Sequence, residues 1–216
     1  MPVLTIASRK GGCGKTTIAT ALSAALSAEG VDVGLLDADP NGGAHRWATQ
    51  TYGGPALAAY AEPDKDRLAD LLPQLADRHT VLIADTAGFG NQAATLCMVG
   101  ADAVLVPVSP GEGDVIEAQR TVSFVQGLGR SARRDLPARV IANRLRRATT
   151  LSRHTLAQLA ALDLPCLQVS LSESVGFGEI GFSGALPASG TAADEIAALL
   201  AELRELGWLP TTHAYA

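Results

Sequence analysis

Residues 10–17 read Lys10, Gly11, Gly12, Cys13, Gly14, Lys15, Thr16 and Thr17, an unbroken run of groups suited to phosphate chemistry. Its end fits the pattern G-x-x-x-x-G-K-[ST], in which glycine-rich backbone turns successive N–H groups onto phosphate oxygens. Arg9 stands where that pattern has its first glycine. Lys15 supplies a point charge for the β- and γ-phosphates, and the Thr16 hydroxyl is a magnesium ligand. A helix beginning at Thr16 adds the positive end of its dipole. Lys10 is a second lysine that the pattern does not require. Two further stretches carry acids. "LLDADPN" holds Asp37 and Asp39 on either side of one residue, and "IADTAGFG" holds Asp85 and Gly88. Asp85 closes an aliphatic run, the position of an aspartate that organises Mg²⁺, and Gly88 completes a D-x-x-G whose N–H can meet a terminal phosphate. Either acid alone also fits a helix N-cap. Three acids at two neighbouring strand ends beside a phosphate loop favour metal and water, and the chemistry they suit is phosphoryl transfer.

Positioning these groups requires strands that end together. Aliphatic runs at 3–7, 31–37, 80–85, 103–108, 138–143 and 165–170 read as buried parallel strands. Helical patterns at 16–29, 41–50, 64–78, 91–99, 114–127, 150–162 and 191–206 alternate with them. That order predicts an α/β fold, a doubly wound and mostly parallel sheet with helices on both faces, in one domain spanning 1–216. Ligands in such sheets sit at the carboxyl ends of the strands, which is where the loop and the acids fall.

Composition agrees. Apolar residues make up 47% of the 216 but aromatics only 4%, which suits helices packed on an aliphatic sheet. Cys13, Cys97 and Cys166 lie far apart with no C-x-x-C pair, so neither a disulfide framework nor a zinc knuckle is expected and a reducing, cytoplasmic setting is. The N-terminus has no basic signal region, and no apolar run approaches the roughly 18 residues a membrane span needs.

K-G-G-C-G-K-T-T, L-L-D-A-D-P and I-A-D-T-A-G together resemble the deviant Walker A ATPases of the ParA/MinD type, a P-loop class. The similarity runs from residue 2 to about 206 and is strongest to short plasmid-partition ParA proteins without an N-terminal DNA-binding domain. It implies an ATPase using ATP and Mg²⁺, with Lys10 reaching across a nucleotide-sandwich homodimer to the phosphates of the other subunit. It also implies that Asp39 orients the attacking water, Asp85 organises Mg²⁺ and Asp37 assists near the metal. A centromere-binding, ParB-like protein and non-specific DNA are the implied partners, and nucleoid association the implied location. Other readings in the same superfamily are a MinD-like positioning ATPase and a metabolic P-loop ligase. An iron-protein reductase would need a second cluster cysteine in the 110–140 region beside Cys97, and that region has none.

The strand ending near 143 leads into "IANRLRR", with no N-K-x-D or T-K-x-D to pair a guanine edge, so ATP is expected. Asn143 resembles the family residue that reads adenine, and also fits a turn asparagine. The loop "LSESVGFGEIGFSG" is expected to close over the base. From Arg120 to Arg153 nine arginines face one acid, a net +8 within a chain of net −5. Arg144, Arg146, Arg147 and Arg153 are therefore candidate DNA contacts, and a solvated basic face fits the same run. Near the C-terminus, Ile196, Leu199, Leu200, Leu203 and Leu206 form an apolar stripe. The polar face carries Asp194, Glu195, Glu202 and Glu205, which would repel anionic lipid and argues against membrane cycling.

Overall fold

A computed structural model describes residues 2–88, 90–146 and 148–211. The elements alternate as β1 (Val3–Ile6), α1 (Lys15–Ala28), β2 (Val33–Asp37), α2 (Gly43–Gln50), β3 (Ala58–Ala61), α3 (Lys65–Arg78), β4 (Val81–Asp85), α4 (Gln92–Gly100), β5 (Ala103–Val108), α5 (Glu112–Ala132), β6 (Ala138–Ala142), α6 (Thr150–Ala161), α7 (Val175–Ser183) and α8 (Thr191–Glu205). The strands form one sheet in the order β3-β2-β4-β1-β5-β6, every pair parallel.

Alternation along each strand feeds two cores, because successive side chains leave a strand on opposite faces. Leu4, Ile6, Val81 and Ile83 pack with Ile18, Leu22 and Leu26 of α1, Trp47 of α2 and Leu199 and Leu203 of α8. Val3, Leu82 and Ala84 pack on the other side with Leu68 and Leu72 of α3, Cys97 of α4, Val122 of α5 and Leu159 of α6. The doubly wound fold expected from the pattern is the fold observed.

Register is what gathers the site. Ile6 pairs with Asp85, and Asp85 pairs with Asp37, so β1, β4 and β2 end level with one another. The loop leaving β1 and the two buried acids therefore meet at one edge of the sheet.

Three expectations are corrected. The run 165–170 is not a strand, although isolated bridges join Val140 to Cys166 and Leu145 to Ser172. Its pairing is interrupted: Leu167 and Leu171 N–H donate to the Val140 and Ala142 carbonyls at 2.8 Å, but between them the N–H groups of Gln168 and Val169 donate to Glu202 Oε1 and Oε2 at 2.7 and 2.8 Å. The sixth strand is instead β3, whose alanine-rich AAYA gives little β signal and which is held by its register on β2. The stretch expected as a closing loop contains α7, despite glycines that weaken an isolated helix. Close packing explains one of those glycines, while Gly178 and Gly181 have open space beside them. A Cβ on Gly176 would lie 2.9 Å from the Ala192 Cβ. Trp47 Nε1 also donates to the Ile180 carbonyl at 2.7 Å, which ties α7 to α2.

Among the described residues, no helix is long and apolar enough to cross a membrane. The apolar stripe of α8 is core: Ile196, Leu199, Leu200 and Leu203 are buried, and Leu206 packs against the same cluster. Part of its acidic face is engaged with neighbouring segments. Glu202 holds the 168–169 backbone, Glu195 accepts from Ser172 N and Oγ at 2.8 and 3.0 Å, and Arg204 pairs with Glu29.

Candidate nucleotide site

Between β1 and α1 the loop takes the curled shape its glycines permit. Gly12 and Gly14 have φ of 78° and 95°. Gly14 also faces an immediate neighbour, since a Cβ there would lie 2.1 Å from Asn143 Nδ2. That Nδ2 donates to the Cys13 carbonyl at 2.7 Å, and Asn143 Oδ1 accepts from the Arg144 N–H at 2.9 Å. Asn143 is thus a buried brace under the phosphate loop, a role the turn signal in the sequence did not indicate. The Cys13 thiol closes the loop from within, donating to the Lys10 carbonyl at 3.4 Å. Lys15 opens α1 and is buried, with Nζ 3.3 Å from the same carbonyl. Gly88 lies against the loop, where a Cβ would approach Arg9 O and Gly11 N to 3.8 and 3.9 Å.

The acids occupy distinct environments. Asp85 is fully buried; one carboxylate oxygen accepts from the Thr16 hydroxyl at 2.7 Å, and the other, Oδ1, has no partner. Burial pushes its pKa up to about 7, the nearby Asp37 and Asp39 charges add to this, and Thr16 and Lys15 oppose it. An orphaned, buried carboxylate oxygen beside a hydroxyl is a fit for Mg²⁺, whose site is completed by water and substrate phosphate rather than by a protein cage. Asp37, equally buried, accepts from the Asp39 N–H at 3.0 Å and the His45 N–H at 2.9 Å, and so anchors the turn into α2. Its pKa is raised, mainly by burial. Asp39 stands in that turn, with Oδ1 accepting from Asn41 N and Nδ2 at 2.9 Å. The turn occupies the first residues expected in the helix, which therefore begins at Gly43.

Beyond Thr17 opens a cleft of about 280 Å³ lined by Ile18, Asn143, Arg144, Ser172, Ser174 and Phe177 among others. It adjoins the phosphate loop through Thr17 and Asn143, where a nucleoside would be placed. Arg144 has φ 56° and reaches back so that Nη1 donates to the Gly12 carbonyl at 2.9 Å. Arg146 pairs with Glu173, which lies with Arg144 on the cleft wall. Arg153 is exposed on α6, and Arg147 lies outside the described residues. The arginine run is divided by the fold. Arg144 and Arg146 follow β6 at the nucleotide end, while Arg130, Arg133 and Arg134 precede β6 and line a groove of about 420 Å³ at the end of α5. Cys97 is fully buried in α4 with its thiol pushed up to about 12 by burial, which keeps it protonated and unlike a cluster ligand.

A strand, a glycine-rich loop and a helix, with acids at the adjacent strand ends, define a P-loop nucleotide hydrolase. The chain belongs to the CobQ/CobB/MinD/ParA nucleotide binding domain family, whose model matches residues 4–187. It is 29% identical over 212 residues to the maintenance of carboxysome distribution protein A of Halothiobacillus neapolitanus, covering 93% of this chain and 95% of that one. It is 30% identical over 125 residues to the protein ParA of Rhizobium radiobacter, covering 58% and 56%. Its fold matches that of Cyanothece McdA, in the ATP complex of an Asp-to-Ala variant, with TM-score 0.79 at 20% identity over 99% of both chains. The chain is therefore a P-loop ATPase of this family, and its site offers groups for ATP and Mg²⁺. The residues that would hold them are Gly11 to Thr17 for the phosphates and Thr16 with Asp85 for the metal, which supplies charge neutralisation at the phosphoryl group.

Proposed function

We propose that this chain is an ATP-switched positioning ATPase of the kind represented by carboxysome-distribution protein A. In this reading it pairs with a second copy over bound MgATP and resets on hydrolysis. The observation that carries the reading is the contrast between its two loop lysines. Lys15 is buried with 7% exposure, whereas the Lys10 side chain is 47% exposed at the edge of the loop. The inner lysine suits its own subunit's phosphates, and the outer one suits a partner's. A cation brought into an interface is costly unless an anion meets it. ATP presents more negative charge there than ADP, so pairing would follow the nucleotide. Asp39 orients water, and Asp37 fixes the turn that carries it.

A DNA-partition role with a ParB-like partner is the more specific second reading, favoured by the likeness to ParA and by the arginines around β6. Non-specific duplex DNA would serve either role as the surface on which the dimer is held. Sedimentation of the chain with MgATP, MgADP and no nucleotide tests the dimer. Turnover with the protein encoded beside it, and whether that protein binds a specific DNA site as a ParB-like partner would, separates the two roles. A chain that stays monomeric in MgATP would overturn the switching reading.

A further inference from the structure

One face of α5 is given over to the two residues that precede the glycines. Lys10 Nζ pairs with Asp114, Arg9 Nε pairs with Glu117 at 3.0 Å, and the Arg9 backbone N–H donates to Thr121 Oγ1 at 3.2 Å. Positions 114, 117 and 121 follow one another at helical spacing, so they share a stripe. The stripe grips the loop at consecutive residues, and the Asp114 carboxylate is itself largely covered, at 12% exposure. Asp114 also sits in the first turn of α5, where the helix dipole stabilises a carboxylate whether or not a lysine is present. Losing Lys10 would therefore not strand it.

We propose that Asp114 is a positioning residue for Lys10, holding it within its own subunit until a second copy's triphosphate displaces the carboxylate. Glu117 and Thr121 keep Arg9, and so the start of the loop, in place while Lys10 exchanges one anion for the other. This rests on the dimer reading above. Asp114 then sets the protein concentration at which MgATP drives pairing, because both Lys10–Asp114 pairs must break in each dimer.

The test is the monomer–dimer midpoint in saturating MgATP, measured by sedimentation for the full chain. Asp114→Asn is expected to tighten the dimer by about 2- to 30-fold, from the range for exposed ion pairs and two pairs per dimer. Asp114→Glu is expected to restore the original midpoint. Glu117→Gln on the same stripe should not tighten the dimer, whereas a general change in the stability of α5 would act in both variants. Should Asp114→Asn fold poorly, Asp114→Ser removes the same charge with a smaller side chain and carries the same expectation. An unchanged or weaker dimer in the neutral variants, with the wild type pairing normally, overturns this inference alone. A wild type that does not pair in MgATP overturns the dimer reading and this one with it.

Discussion

Asp85 shows how burying one carboxylate makes stability depend on pH. Its pKa stands near 7 in the folded chain against 3.8 for an ordinary aspartate, with burial the main cause. Between those values the folded chain keeps a proton that the unfolded chain has released. Stability is thus greatest below the unfolded pKa and is lost as pH rises through the window toward 7. Without nucleotide or metal, the melting temperature is expected to fall from pH 5 to pH 8. Asp85→Asn should flatten that fall and raise the pH 8 value by on the order of 5 °C, while abolishing Mg²⁺-dependent turnover. Calorimetry across pH reads the first effect; a fall that persists in the variant would place its cause elsewhere. The two lysines should separate as clearly. Lys15→Ala should lose MgATP binding, whereas Lys10→Ala should bind MgATP as a monomer and fail to pair, by calorimetric titration beside sedimentation. Asp39→Ala should hold MgATP and slow turnover by about 10²-fold or more, the loss typical of a missing general base. Single-turnover measurements decide it, and normal hydrolysis would assign the water to another group.

Elements that the periodicity did not reveal turn out to wall the cleft. The 165–172 segment bonds to β6 intermittently, because Glu202 takes the N–H groups of Gln168 and Val169 between the Leu167 and Leu171 bonds to that strand. Glu202→Ala should cost about 1 kcal/mol, with two backbone donors losing a charge-assisted partner at a partly exposed site. The same change should weaken nucleotide binding by loosening Leu171 to Ser174, which line the cleft. Urea unfolding and a nucleotide titration measure the two parts; stability lost with nucleotide affinity intact would detach the segment from the site. Helix α7 was illegible for a related reason. Its glycines argue against a helix locally, and contacts with Ala192 and Trp47, distant in sequence, supply what propensity lacks.

At the scale of the whole molecule, charge is the least local property and the one most rearranged by folding. A run of net +8 suggests one basic surface, yet the fold sends Arg130 to Arg134 to one end of β6 and Arg144 and Arg146 to the other. Arg144 is engaged with the phosphate loop, so Arg144→Ala is expected to weaken nucleotide binding before any effect on DNA. Arg153, exposed on α6, should behave differently. If it touches phosphate in a dimer, Arg153→Ala should keep nucleotide affinity and reduce the slope of log K against log salt by about 0.9 per contact. DNA binding titrated across salt concentrations in MgATP checks this, and an unchanged slope would clear Arg153 of the surface.

The sequence by itself determined the architecture and supplied the proposal for the chemistry it carries. The roles proposed for the glycines, lysines, Thr16 and the aspartates rest on backbone freedom, charge and strand-end position, all written in types and spacing. The alternation of aliphatic runs with helical periods likewise specifies a doubly wound sheet. Tertiary structure decided what each group faces. Register set Asp37, Asp85 and Ile6 level, Asn143 became a brace rather than a free turn residue, and Lys10 met Asp114 across 104 residues of chain. Such pairings depend on which surfaces pack together, and a local pattern of residues does not encode the identity of a neighbour on another element.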